Sequence, residues 1–94
     1  MKKVYNVSYD LKKTGKDYAG LHAELKKTHD WNHLLDSTWL LCTAETADQI
    51  WMRLKSHIDK DDRILITQIV NNKQGFLSQN DWDWLNARLS GILV

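Results

Sequence analysis

Apolar and polar positions alternate from Val4 to Tyr9, with Tyr5, Val7 and Tyr9 on one side and Val4, Asn6 and Ser8 on the other. A two-residue period in β-favouring residues predicts a strand. The period then changes. Asp10 to Lys16, with Thr14-Gly15 inside it, reads as a loop, and Asp17 can cap a helix that runs to about Thr28. Tyr18, Leu21, His22 and Leu25 recur at the spacing of one helical face, which leaves Glu24, Lys26 and Lys27 for solvent. Trp31 to Leu35 and Thr38 to Thr43 read as short strands. Asp36-Ser37 between them supplies turn chemistry, because both side chains can bond nearby backbone.

The second helix has the clearest start. Thr46 with Gln49 three residues later is a capping box, and Ala47, Ile50, Trp51, Leu54 and Ile58 form the expected buried stripe. Asp59 to Asp62 ends it and reads as a solvated turn. Arg63 to Ile69 is a strand, and its run Ile64-Leu65-Ile66 suggests burial on both faces. Asn71 to Gly75 is a polar turn. Ser78 and Asp81 then signal a third helix, with Leu77 and Trp82 spaced as a hydrophobic staple, Trp82, Leu85 and Leu89 on one face, and Gly91 as its stop. Ile92-Leu93-Val94 is an apolar tail.

The order through residue 69 is β-α-β-β-α-β. The expected fold is therefore α+β, a ferredoxin-like sandwich over 1–70 with a helical C-terminal extension over 71–94. Two helices cover one sheet face. The other face is left for the C-terminal helix, the tail or a second subunit.

Ninety-four residues make one domain with a modest core. Five Trp and three Tyr suit core filling, or in part a subunit interface. The single Cys42 excludes an internal disulfide and reads as a small buried hydrophobe. No apolar run follows Lys2-Lys3, and no stretch is long enough to span a membrane, so a cytoplasmic location is expected. Net charge is +1, but residues 1–30 hold seven lysines against four acids. This excludes a strongly basic nucleic-acid footprint and leaves a local patch of Lys12, Lys13 and Lys16.

Asp10 is the main candidate for chemistry. Directly after the first strand, its carboxylate emerges at the sheet edge. Two readings stand: a turn Asp that bonds local backbone, or one ligand of a hard cation such as Mg²⁺, which often takes only one or two protein carboxylates. In a two-fold dimer one Asp per subunit becomes a facing pair, able to hold a metal-bound water for phosphodiester attack. The four histidines read as packing or surface residues, since no zinc spacing is present.

Tyr9-Asp10-Leu11, Asp36-Ser37-Thr38-Trp39-Leu40 and Asp61-Asp62-Arg63-Ile64-Leu65-Ile66, in this order and separated by helices, make residues 4–69 similar to a known family. The pattern resembles the small CRISPR-associated adaptation nucleases and their stand-alone relatives, virulence-associated protein D and SinR-like short proteins. The resemblance implies a homodimer and Mg²⁺- or Mn²⁺-dependent cleavage of RNA or double-stranded DNA, with non-catalytic scaffolds among the members. It places Asp10 at the metal-binding position. Lys12, Lys13 and Lys16 would meet phosphate where the family often has arginines, and Ser8 and Ser37 would support the metal site. A dimeric protein-interaction module, of toxin–antitoxin, mobile-element or defence type, is the alternative.

Overall fold

A computed structural model describes residues 1–12 and 18–93, with side chains through Ser90. The Thr14-Gly15 loop, Lys13, Lys16, the Asp17 cap and Val94 lie outside the described residues. The elements run β1 (Lys3–Asp10), α1 (Ala19–Lys26), β2 (Asp30–Leu35), β3 (Thr38–Thr43), α2 (Ala47–Leu54), β4 (Arg63–Ile69) and α3 (Gln79–Leu93), with one 3-10 turn at Lys55–His57. The four strands lie in the order β2-β3-β1-β4, and every neighbouring pair is antiparallel. This is the ferredoxin-like arrangement, followed by a C-terminal helix.

Strand alternation builds two cores, one on each side of the sheet. On one side Tyr5, Val7 and Tyr9 of β1 and Trp39 and Leu41 of β3 pack against Leu21 and Leu25 of α1 and Ile50 and Leu54 of α2. On the other, Val4, Leu40 and Cys42 pack against Leu85 and Leu89 of α3. The third helix thus covers part of the second face within the same chain. Arg88 fastens it by a bidentate pair with Asp30 on β2, at 2.8 Å to each oxygen, and Asn32 donates to Asp81 at 3.1 Å. The start of α3 is capped as expected: Ser78 Oγ donates to Asp81 Oδ2 at 2.9 Å and accepts from the Asp81 N–H at 3.2 Å.

The Thr46 capping box is present in both directions, Gln49 N–H to Thr46 Oγ1 and Thr46 N–H to Gln49 Oε1. Arg53 then ties α2 to its neighbours. It donates to both Glu45 oxygens at 2.9 and 3.0 Å, to the Glu24 carbonyl of α1 at 2.7 Å, and to Thr28 Oγ1.

Four expectations are corrected. Trp51 is not in the buried stripe but 38% exposed; one residue past Ile50 it is turned about 100° from the core-facing line, beside the β4 edge. Leu65 is 64% exposed rather than buried, because β4 is an edge strand and α3 covers only its Ile69 end. The strand buried on both faces is β3, where Trp39 to Cys42 are all buried. Gly91 does not stop α3, which continues to Leu93; no proline follows, and glycine inside a helix is a cost rather than a block. Finally, the turn at Asp59 to Asp62 is not wholly solvated, since Asp62 is only 4% exposed.

Candidate functional site

Asp10 ends β1 opposite Arg63 of β4. It lies on the same side of the strand as Ser8, Asn6 and Val4, the side on which α3 packs. The cover is partial. α3 sits over Val4, Leu40 and Cys42, at the far end of β1, and leaves the end with Ser8 and Asp10 open. Leu65 pairs with Ser8 and therefore shares that open half-face. Ser8, Tyr9, Asp10, Arg63, Ile64 and Leu65 line a shallow depression of about 320 Å³ there.

The Asp10 carboxylate is exposed and pairs with Lys12, Oδ2 to Nζ at 2.8 Å. A pair this open contributes little to stability. Lys12 is held from below: its backbone N–H donates to Asp62 Oδ1 at 3.0 Å. The same oxygen accepts from the Tyr18 hydroxyl at 3.1 Å, while Asp62 Oδ2 accepts from the Asp59 N–H at 2.9 Å. Asp62 is thus a buried acceptor that joins the chain after β1, the start of α1 and the turn before β4.

Ser8 and Ser37 divide. Ser8 Oγ donates to Asn6 Oδ1 at 2.6 Å and lies 3.4 Å from Thr38 Oγ1, so its hydroxyl is engaged within the sheet face near Asp10. Ser37 sits in the β2–β3 turn and supplies its carbonyl, which accepts the Tyr9 N–H at 3.0 Å. Of the three lysines only Lys12 falls among the described residues.

Among the described residues no group of three or more His, Cys, Asp or Glu side chains could hold a metal ion. One protomer offers Mg²⁺ a single carboxylate at this point, already facing an ammonium. One copy alone does not fit the ion: the cation would have to displace Lys12 and find further oxygens from water, phosphate or a second chain.

A second constellation lies on the opposite sheet face. Trp39 Nε1–H donates to the Tyr9 hydroxyl at 3.1 Å, and that oxygen lies 3.3 Å from His22 Nε2. The His33 ring stacks on Trp39 with centroids 4.2 Å apart and planes 15° from parallel. The His22 and His33 centroids are 5.8 Å apart. Burial pushes the Tyr9 phenol up, against the Trp39 hydrogen bond. Burial, then His33 and Lys26, push His22 below its ordinary range. Helical periodicity places His22 on the inner face of α1, but nothing local in the sequence brings His33 to it; β2–β3 pairing, with an irregularity between Asn32 and Leu35, does that.

Cys42 is a free buried thiol, pushed up chiefly by burial. No described helix is long and apolar enough to cross a membrane. No family model matches this sequence, and comparison with curated proteins finds no match either.

Proposed function

We propose that the chain works as a homodimer in which the Asp10 carboxylates of two copies together hold Mg²⁺ or Mn²⁺ and cleave phosphodiesters of RNA or double-stranded DNA. One observation carries this reading: Asp10 and the exposed Leu65 share the half of the sheet face that α3 leaves open. A second copy covering Leu65 brings a second Asp10 to the first, which supplies the carboxylate that one copy lacks. The metal would polarise the phosphoryl oxygen and lower the pKa of a bound water. Lys12, with Lys13 and Lys16, would meet the phosphates. The resemblance over residues 4–69 points the same way, and a free buried thiol suits the reducing cytoplasm.

The test combines mass measurement in solution with a cleavage assay. Wild type is expected to be dimeric and to cleave RNA or duplex DNA with Mg²⁺ or Mn²⁺. Asp10→Asn should stay dimeric and lose cleavage, while Leu65→Glu should become monomeric and lose both. Full cleavage by Asp10→Asn removes the mechanism, and an unchanged dimer in Leu65→Glu removes the interface.

A second reading, a non-catalytic dimeric interaction module, is favoured by the surface beside β4. Phe76 is fully exposed and Val70 more than half exposed. They border an apolar groove of about 510 Å³ lined by Leu34, Leu40, Ile69, Trp82 and Leu85. Nucleic-acid binding measured against salt separates the two. A phosphate footprint weakens steeply as salt rises, and no binding at low salt favours the module.

A further inference from the structure

The Tyr9–His22–His33 constellation has no part in the proposed reaction, yet its hydrogen bonds form a two-state arrangement. The Asp36 carbonyl can only accept, so His33 Nε2, 3.2 Å from it, carries a proton and donates. The Tyr9 hydroxyl already accepts from Trp39 and has one proton to give. Two acceptors are in reach, His22 Nε2 at 3.3 Å and the same Asp36 carbonyl at 3.5 Å. While His22 is neutral, with Nε2 unprotonated, the phenol donates to it and joins β1 to α1. Once His22 is protonated, Nε2–H must donate. The phenol then gives its proton to the second lone pair of the Asp36 carbonyl while its oxygen faces the His22 N–H, so what changes on acidification is the charge on the rings and not the number of hydrogen bonds.

We propose that Tyr9, His22, His33 and the Asp36 carbonyl form an acid-responsive latch between α1 and the β2–β3 turn. The latch is closed when both imidazoles are neutral and opens when both are charged. Two imidazolium rings at 5.8 Å, both against Trp39, repel across that contact. Lys26 adds a third cation on the same flank, its Nζ 5.6 Å from the Trp31 ring. Among the described residues no carboxylate side chain contacts His22; the acid of the adjoining turn, Asp36, acts through space on Tyr9. The acidic partner of α1, Glu24, is two residues on and so on the other flank, where it meets Lys27, Arg53 and His57. Leu21 and Leu25 anchor α1 on the sheet when the latch is closed, so opening is a local release of α1 that starts at the His22 flank and leaves the paired strands in place.

The sign follows from the depressed His22. A histidine held below its ordinary value of 6.5 contributes stability that is full above that pH and is lost as pH falls through the folded value. The latch therefore opens in mild acid, in the range where histidine switches operate.

Hydrogen exchange and imidazole NMR across about pH 8 to about pH 5 test it. After correction for intrinsic rates, amides of residues 19–26 should lose protection on acidification by a factor on the order of ten, which repulsion of two unit charges at this spacing supplies at a protein surface. Core amides of β1 and β3 should not change. His33→Gln should abolish the acid response and move the His22 midpoint upward. If His33→Gln does not fold, His22→Gln makes the same test from the helix side, and α1 protection should then be independent of pH. An α1 protection that ignores pH in wild type, or an acid response that survives loss of either imidazole, overturns the latch.

Discussion

Replacing Asp62 tests the architecture behind the candidate site. Its carboxylate is 4% exposed and accepts from the Lys12 N–H, the Tyr18 hydroxyl and the Asp59 N–H. Asp62→Ala takes this acceptor from three donors at once. A buried donor left without a partner costs about 1–3 kcal/mol, more when the lost acceptor was charged. Water entering the space of the carboxylate recovers part of that. The net expectation is about 3 kcal/mol, a large share of the roughly 5–15 kcal/mol available to a small domain. In a chain of this size the melting temperature should fall by about 12–24 °C. Asp62→Asn keeps one oxygen for Lys12 and Tyr18 but turns an NH₂ toward the Asp59 N–H, so it should cost less than alanine and more than nothing. Tyr18→Phe removes one donor and should cost about 1 kcal/mol. Urea unfolding followed by tryptophan fluorescence orders the three. An Asp62→Ala protein within about 0.5 kcal/mol of wild type, the usual size of a surface substitution, refutes the claim that this carboxylate organises the turn.

Other outcomes follow from named contacts. Thr46→Ala removes the side-chain arm of the α2 capping box, leaving only the backbone N–H bond to Gln49, and should lower stability by about 1 kcal/mol in the same assay. Arg53→Lys keeps the charge but cannot reproduce the fork onto Glu45 together with the bonds to Glu24 and Thr28; about 1–2 kcal/mol should be lost. The same network sets an acid limit. The Arg53 hydrogen bond holds Glu45 below the usual carboxylate range, over the opposing effect of burial. Burial raises Glu24, yet Lys27 and Arg53 outweigh it and the group also titrates low. Both contributions are complete above the ordinary 4.5 and are lost as pH falls below it through the depressed folded values. The acid arm of the wild-type stability curve should therefore flatten in Arg53→Lys.

How much was legible in the sequence differs between strands and sites. The two-residue period of β1, the helical periods of α1 and α2, and the short apolar runs of β2, β3 and β4 between turn residues placed the sheet strands and helices through residue 69, because each reflects a buried face. Which strand is buried on both sides was not legible, and Leu65 and Leu40 show why. Both lie in apolar runs, but the second layer over them depends on where α3 docks, a contact set by Arg88 on Asp30 across 58 residues. Trp51 misled for a related reason: a large aromatic at the margin of a stripe counts as core by type, while one helical step decides its exposure. Asp10 was locatable because strand ends are visible in a sequence. Asp62 was not, since an acid in a polar turn looks the same whether its carboxylate faces water or the N–H and O–H donors of three other residues. The His22–His33 pairing needed the β2–β3 register, which no local pattern encodes.

The extent of α3 cover bears on the proposed dimer in a way that can be measured. Were the face fully covered, Asp10 would be closed to a partner; were it bare, Val4, Leu40 and Cys42 would demand one. With half the face open, the exposed apolar side chain offered beside Asp10 is Leu65. Burying one leucine contributes about 1.5–3 kcal/mol per copy, too little to offset the entropy of association comfortably. Two facing carboxylates oppose assembly further, relieved in part by the weak Lys12 pairs. A divalent cation that binds the pair and not the monomer must then strengthen the dimer by linkage. On this account Mg²⁺ in the millimolar range lowers the dimer dissociation constant of wild type. Asp10→Asn removes the repulsion along with the ligand, so its dimer should be tighter than wild type without metal and indifferent to metal. Sedimentation of both proteins with and without Mg²⁺ decides the matter. A wild-type dimer of the same strength in EDTA and in Mg²⁺ would separate association from the metal and leave Asp10 as a surface acid paired with Lys12.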